Sequence, residues 1–165
     1  MPTNARTYAD QLRRLSISLP ERVFLPHFRR IAFRIFELAV QNSPVDTGEL
    51  RGAWTISIGT PASGQQDNGR DPQSVLESAR AVVRDAQLGD TIWITNHAPH
   101  APVYEFGLFI PPNPGPSKAT HLPKGRRARL AGTVLIENGF HVSAPEGMLG
   151  DAVQQVQDEI RAGTL

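Results

Sequence analysis

The chain has 165 residues, which is enough for one domain that buries most of its apolar surface without disulfides or metal ions. It contains no cysteine, which excludes disulfide scaffolds and thiolate metal sites and is compatible with a reducing cytoplasm. The formal net charge of +1 offers no overall attraction to a polyanion, and no stretch is apolar and long enough for a signal peptide or a membrane span, so no membrane partner is expected.

The N-terminal part of the chain predicts an arm followed by a long helix. Residues 1–20 are polar with a weak amphipathic pattern, and Pro20 is expected to end this arm or short helix outside the core. Over residues 21–41, apolar side chains recur at spacings of three and four, which is typical of an amphipathic helix. Pro26 is tolerated only near a helix start, so the regular helix is predicted to begin near Leu25.

The segment after this helix combines turn and strand signals. Asn42-Ser43-Pro44 is expected to end the helix, because the residue before a proline is disfavoured in helical conformation. Asp46 and Glu49 have the spacing of a capping box, which predicts a short helical turn through Leu50. Residues 53–59 alternate apolar and polar side chains and predict a half-buried strand.

The C-terminal half predicts one more clear strand between two helices. Residues 74–87 have a helical apolar face and are expected to end at a glycine cap, and residues 91–96 predict the second strand. A loop with two proline breaks follows. Residues 131–136 are compatible with a third strand, and residues 145–161 predict the last helix.

The order of these elements predicts an α+β fold. We expect a small mixed or antiparallel sheet packed against the long N-terminal helix and the C-terminal helix. A single domain is predicted over residues 21–165, with residues 1–20 as its arm. The proline-rich, basic stretch at about 108–138 is predicted to be a long loop insertion, and loops of such length are usually functional or disordered.

One tripeptide raises the question of enzymatic activity. Asp46-Thr47-Gly48 is the sequence that supplies the catalytic carboxylate of aspartic proteases, where two such carboxylates share a proton. In those enzymes it follows an apolar strand, whereas here it precedes Glu49-Leu50-Arg51, which is typical of a helix start. We interpret Asp46 as a helix cap, keep an aspartic-type protease as the less favoured alternative, and expect no enzyme.

Two histidines and a glutamate are nominal metal ligands. His97 and His100 have H-x-x-H spacing, and Glu105 lies nearby. The prolines at 99 and 102 interrupt the helix that would place both histidines on one face. We therefore interpret these residues as polar loop side chains, and we expect no metal and no cofactor.

The strongest local charge lies between Glu105 and Glu137, where basic residues occur without any acidic one. Contact with DNA phosphates, contact with an acidic neighbouring subunit and a solvated loop all remain open for this stretch. Its basic residues are Lys118, Lys124, Arg126, Arg127 and Arg129.

Four segments of the chain occur in an order that resembles a known family. They are the N-terminal helix, SPVDTGELRGAWTISIG at 43–59, GDTIWITNHAPHAPVYEFG at 89–107 and APEGMLGDAVQQV at 144–156. In order and spacing they resemble the neck and tail-component proteins of long-tailed double-stranded DNA phages, also called tail-completion or head-to-tail joining proteins. The resemblance covers about 22–59, 75–107 and 140–157, whereas the insertion departs from the family pattern.

The resemblance assigns two sets of signature residues. The first set forms a family-type turn and consists of Pro44, Asp46, Thr47, Gly48, Leu50 and Arg51. The second set consists of Tyr104, Glu105 and Gly107. Because the basic insertion departs from the family pattern, the resemblance assigns no role to it.

The resemblance also implies a function and partners. It implies a structural virion protein of the phage neck or tail, assembled in the host cytoplasm as a homo-oligomeric, hexameric ring. Such a ring would contact the head connector or stopper and the tail terminator or tail tube, with genomic DNA in its channel. A tail terminator that caps the tube is the alternative, and the isolated protein is expected to associate weakly.

Overall fold

The computed structural model describes residues 4–44, 48–63, 71–108, 136–137, 140–141 and 144–165. These residues form an α+β fold, which confirms the predicted fold class. The helices are α1 (Asn4–Leu19), α2 (Leu25–Asn42), α3 (Glu49–Gly52), α4 (Pro72–Asp85), α5 (Ala101–Glu105) and α6 (Met148–Arg161). The strands are β1 (Trp54–Ile58), β2 (Ile92–Asn96), β3 (Ile136–Glu137) and β4 (Phe140–His141).

The first two helices form one continuous helical rod, so the predicted break at Pro20 is wrong. A π-helical turn over Pro20–Phe24 joins α1 to α2, and the N–H of Leu25 donates to the carbonyl oxygen of Pro20. Proline lacks an N–H and cannot make the usual helical hydrogen bond, and the wider turn accommodates this loss without a change of direction into a loop. Pro26 lies in the first turn of α2, as expected.

Helix α1 lies outside the core, as expected for the N-terminal arm. Its described side chains from Ala9 to Ser16 are all exposed, including Leu12 and Leu15. By contrast, α2 buries one face, on which Phe36 and Val40 are almost completely inaccessible. The division into an arm of residues 1–20 and a domain of residues 21–165 remains a prediction.

The core lies between α2, α4, α6 and one face of the β1–β2 pair. Contacts between the end of α2 and the start of α6 show that these two helices run antiparallel. The two strands are antiparallel, with Trp54 opposite Asn96 and Ile56 opposite Ile94. Alternation places Trp54 and Ile56 on the buried face, so both predicted strands are confirmed within one residue at each end.

A second antiparallel pair is formed by β3 and β4. The third strand predicted at 131–136 lies outside the described residues except for Ile136, which begins β3. Most of the insertion predicted at about 108–138 also lies outside the described residues. In the part of the chain that the structure describes, no helix is long and apolar enough to cross a membrane.

Two helix starts differ from the prediction and one short helix is not predicted, each for a local reason. Helix α4 begins at Pro72, because the carboxylate of Asp71 accepts hydrogen bonds from the N–H groups of Gln73 and Ser74. Helix α5 is not predicted, because prolines usually interrupt a helix, but Pro102 lies in the first helical turn, where proline is favourable. Helix α6 begins at Met148 and not near 145, because Gly147 has a φ of 91°.

An ion-pair network joins α2 to α6 at the end away from β1. The guanidinium of Arg34 lies 2.7 Å from a carboxylate oxygen of Glu37 and 2.6 Å from one of Glu159. These hydrogen bonds raise the pKa of Arg34, and the bond from Arg34 lowers the pKa of Glu159. The pair therefore stabilises the packing of α2 on α6 only while Glu159 is ionised.

Stability should depend on pH through Glu159. The pKa of Glu159 in the folded protein lies below its ordinary value of 4.5. At pH values between the folded and the unfolded pKa, the unfolded chain binds more protons than the folded one. The stabilisation is therefore lost as the pH falls through the folded pKa. We expect the difference in unfolding free energy between the wild type and Glu159→Gln to shrink from neutral pH to about pH 3, measured by urea denaturation. A difference that stays constant over this range would contradict the assignment.

Candidate functional site

The segments that carry the phage resemblance meet at one place, where α2 ends. Here the end of α2 contacts α3, the start of β1 and the start of α6, while the end of β2 bonds α3 and the end of α5 bonds α6. We call this group of side chains the signature cluster. It consists of Ser43, Leu50, Arg51, Trp54, Asn96, Glu105, Gly147 and Met148.

Ser43 lies at the centre of the signature cluster and is buried, with 1% of its surface exposed. Its hydroxyl donates to the carbonyl oxygen of Ala39 at 2.8 Å and accepts a hydrogen bond from the indole N–H of Trp54 at 2.7 Å. The same oxygen lies 3.3 Å from the sulfur of Met148. One hydroxyl thus connects the last turn of α2 to β1 and α6.

Arg51 closes the C-terminal end of α2. Its side chain donates to the carbonyl oxygens of Ser43 at 2.9 Å and Gln41 at 3.0 Å. The last carbonyls of a helix have no partner within the helix, and a cation is favourable at this negative end of the helix dipole. The buried Leu50 anchors α3, and Gly48, with a φ of 83°, makes the turn into it, so that Arg51 faces the end of α2.

Asn96 joins the end of β2 to α3. Its amide N–H donates to the carbonyl oxygen of Leu50 at 2.8 Å, and its amide oxygen accepts from the N–H of Ala98 at 2.9 Å. The backbone N–H of His97 donates to the carbonyl oxygen of Ala53. Asparagine suits the end of the strand because its side-chain amide donates through the nitrogen and accepts through the oxygen at the same time.

Glu105 caps α6 from a distant part of the chain. Its carboxylate accepts hydrogen bonds from the N–H groups of Leu149 at 3.0 Å and Gly150 at 3.3 Å. The first N–H groups of a helix lack partners within it, and a negative charge is favourable at that end. Because the N-cap residue Gly147 has no side chain, Glu105 supplies the cap that a serine or aspartate would otherwise provide.

Gly147 cannot be replaced without disturbing Glu105. Its φ of 91° and ψ of 157° lie in a region that is essentially restricted to glycine. A Cβ atom at this position would lie 2.5 Å from the backbone oxygen of Glu105 and 3.1 Å from its carboxylate. Gly147 of the matched segment 144–156 and Glu105 of the matched segment 89–107 are therefore in direct contact.

The remaining residues of the second signature shape α5. Tyr104 is half-buried, and this burial raises the pKa of its hydroxyl. Its ring contacts that of His100 edge to face, with 5.9 Å between the ring centres. Gly107, with a φ of 62°, ends the helix, so that the N–H of Leu108 donates to the carbonyl oxygen of Val103.

The three nominal metal ligands, His97, His100 and Glu105, have different hydrogen-bond and ring partners. The Nε2 atom of His97 lies 3.1 Å from the hydroxyl of Thr55 and 3.3 Å from that of Thr95, whereas His100 contacts Tyr104. The carboxylate of Glu105 accepts hydrogen bonds from the N–H groups at the start of α6. Across the described residues, no group of three or more His, Cys, Asp or Glu side chains is placed to hold a metal ion.

Some of the predicted site residues lie outside the described residues. Asp46 and Thr47 are among them, so their capping and catalytic interpretations remain predictions, and α3 begins only at Glu49. Pro44 is described and half-buried. The basic residues Lys118, Lys124, Arg126, Arg127 and Arg129 also lie outside the described residues.

An open apolar groove of about 170 Å³ lies beside the signature cluster, between β2, α5 and α6. Phe106 forms one side of it and is 67% exposed, and Leu108 follows with 58% of its surface exposed. The rest of its apolar lining consists of Trp54, Ile94, Ala101, Pro102, Met148 and Leu149. A larger cavity of about 400 Å³ contains no signature residue and surrounds the Arg34 ion pairs.

No protein-family model, no curated protein and no solved structure matches this chain. The arrangement of the signature cluster must therefore be interpreted from its own geometry. Ser43, Arg51, Asn96 and Glu105 each bond backbone groups, and Trp54 bonds Ser43. No buried side-chain nitrogen or oxygen among the described residues lacks a hydrogen-bond partner.

Sequence reasoning missed the roles of Ser43, Trp54, Asn96 and Gly147. All four residues lie in the matched segments, but most of their partners are distant along the chain and have no local pattern. The signal for Ser43 was its position before a proline at a helix end, where a small hydroxyl can bond back to the preceding turn.

Replacing Ser43 should destabilise the fold markedly. Ser43→Ala leaves the buried indole N–H of Trp54 without an acceptor, which costs about 1–3 kcal/mol of unfolding free energy. The control is Ser78→Ala, because Ser78 makes a similar bond to the preceding turn but is exposed, and its loss should change stability by less than about 0.5 kcal/mol. Equal effects in urea denaturation would contradict the role of Ser43.

Gly147→Ala should be more harmful than the same change at Gly89. Both glycines have similar φ values, 91° and 94°, but a Cβ atom at Gly89 meets nothing within 4 Å. Gly89→Ala should therefore cost only backbone strain of about 1–2 kcal/mol. Gly147→Ala adds the clash with Glu105 and should exceed about 3 kcal/mol in thermal or urea unfolding. Similar losses for both variants would show that the contact with Glu105 is unimportant.

Proposed function

We propose that this protein is a structural, non-enzymatic component of the neck or tail of a long-tailed double-stranded DNA phage. Copies of it would form a homo-oligomeric ring, expected to be hexameric, that joins or completes the tail at the interface with the head. Its neighbours would be the head connector or stopper and the tail terminator or tail tube. It would be assembled in the host cytoplasm and incorporated into the virion.

The observation that carries this proposal is that the matching segments meet in one cluster. Arg51 bonds the end of α2, Asn96 bonds α3, and Glu105 caps α6. The residues by which the chain resembles the family are therefore the ones that hold its helices and strands together. This supports a resemblance in fold and in a structural role, because these polar groups are engaged with the backbone of the protein itself.

The distribution of exposed apolar surface is a second support. A ring subunit needs a rigid domain and projecting surfaces that contact its neighbours. The core of this chain is well packed, whereas α1 projects from it with exposed leucines, and Phe106 and Leu108 are exposed beside the groove. Exposed apolar groups that lie together on a protein surface are typical of interaction sites.

The proposal can be tested by locating the protein in phage particles. Particles would be purified from the strain that carries the gene and labelled with an antibody raised against the purified chain. We expect label at one position, the junction of head and tail. Label elsewhere on the particle or its absence from the particle would contradict the proposal.

Deleting the gene distinguishes a protein that joins the tail to the head from one that stops the growth of the tail tube. Loss of a joining or tail-completion protein should leave filled heads and unattached tails of normal length. Loss of a tail terminator should produce tails of uncontrolled length, because polymerisation of the tube is no longer stopped. Intact infectious particles after deletion would contradict both functions.

A further inference from the structure

The core holds the helical rod only from Leu25 onward. Among the described residues, Leu25 is the first buried one, and α2 buries one face from there to Val40. By contrast, the π-helical turn Pro20–Phe24 buries no residue, and the described side chains of residues 9–16 are all exposed. Most helical stability in proteins comes from packing an apolar face, so α1 and the turn depend on their own backbone hydrogen bonds.

Side-chain bonds do not tie the arm to the domain either. Within residues 9–16 and 18–24, the hydroxyl groups bond their own helix, and that of Ser16 donates to the carbonyl oxygen of Arg13 at 2.9 Å. None of these side chains forms an ion pair with a described residue of α2, α4 or α6. Helix α1 contacts chiefly the turn that follows it. Its direction is therefore set by the backbone that passes through this turn.

Three features weaken the backbone at this passage. Pro20 and Pro26 have no N–H, so the helical ladder lacks a donor on either side of the turn. The turn itself closes from the N–H of Leu25 to the carbonyl oxygen of Pro20, a π-helical spacing that is rare and mostly confined to single turns. The bond of the Ser16 hydroxyl to the preceding turn also favours a bend. Sharp bends in helices occur mainly at prolines and π-helical turns.

We propose that Pro20–Phe24 is a hinge about which α1 swings while the domain keeps its shape. The straight rod is then one of several orientations of the arm, which interconvert in microseconds to milliseconds, as hinge motions do. Helix α1 has 16 residues and is about 24 Å long, so a bend of about 30° moves its start by about 12 Å. The exposed leucines of α1 are consequently not held in one direction by the domain. This motion belongs to the single chain and does not depend on the proposed function.

Distances between spin labels, measured by double electron–electron resonance, test the hinge, because the chain contains no cysteine that would take up label elsewhere. Asp10→Cys on α1 and Gln157→Cys on α6 replace exposed side chains, so both labels should leave the fold intact. Dilution with unlabelled protein removes distances between copies. We expect a broad distribution for this pair. The pair Ser78→Cys and Gln157→Cys lies within the domain and should give a narrow one.

Replacing the two prolines should stiffen the rod. Pro20→Ala combined with Pro26→Ala restores two N–H donors and introduces the residue of highest helix propensity, so the distribution of the Asp10–Gln157 pair should narrow by about half. Neither proline is buried, so the core is unchanged. The matched control is Pro72→Ala, which removes a proline from the first turn of α4, outside the rod, and should leave the distribution as it was.

A second pair of labels distinguishes a swinging helix from an unfolded one. Asp10→Cys and Arg14→Cys lie four residues apart on one face of α1, where Cβ atoms in a helix are about 6 Å apart. Labels at both positions should show the strong short-range coupling of a helix in continuous-wave spectra, while the Asp10–Gln157 distribution stays broad.

Four results would overturn the hinge. An Asp10–Gln157 distribution as narrow as that of the domain pair would show that the rod is rigid. A width that the two alanines leave unchanged would place the bend away from the turn, and so would equal narrowing by Pro72→Ala. Loss of the short-range coupling between positions 10 and 14 would show that α1 unfolds and does not swing.

Discussion

The hydroxyl of Ser43 is buried where α2 ends, and the arrangement of the other elements depends on it. It bonds the last turn of α2 through Ala39, accepts the indole N–H of Trp54 at the start of β1, and lies against Met148 at the start of α6. The three contacts set where the helix stops, where the sheet begins and where the C-terminal helix packs. A buried polar group of this kind stabilises the fold only when every partner is present.

Two side chains from other parts of the chain cap the helix ends that meet near Ser43. Arg51 satisfies the carbonyls at the end of α2, and Glu105 satisfies the N–H groups at the start of α6. Each polar side chain is therefore placed where a helix end would otherwise be unpaired. Such residues resemble a functional site in sequence because their types and spacing are restricted, but the restriction comes from folding. Among the described residues, apolar side chains of α1 and the groove beside the signature cluster are open to solvent.

The sequence predicts the elements that have a local pattern. Strand β1 follows from the alternation of residues 54–58 and β2 from the strand-forming residues at 91–96, while α4 and α6 follow from their apolar faces. Helix α5 was missed because prolines at a helix start resemble a loop, and the passage through Pro20 was missed because a π-helical turn has no distinct periodicity. The cap of α6 by Glu105 joins residues more than forty positions apart, so no local signal predicts it.

Native-state hydrogen exchange of three amides tests most directly whether the signature cluster is a single structural unit. The N–H of Ala98 bonds Asn96, and those of Leu149 and Gly150 bond Glu105. If the cluster holds the fold together, all three should open with one shared free energy, close to that of global unfolding. Exchange of Leu149 and Gly150 at a much lower free energy than Ala98 would show that α6 is capped independently, which would contradict this account.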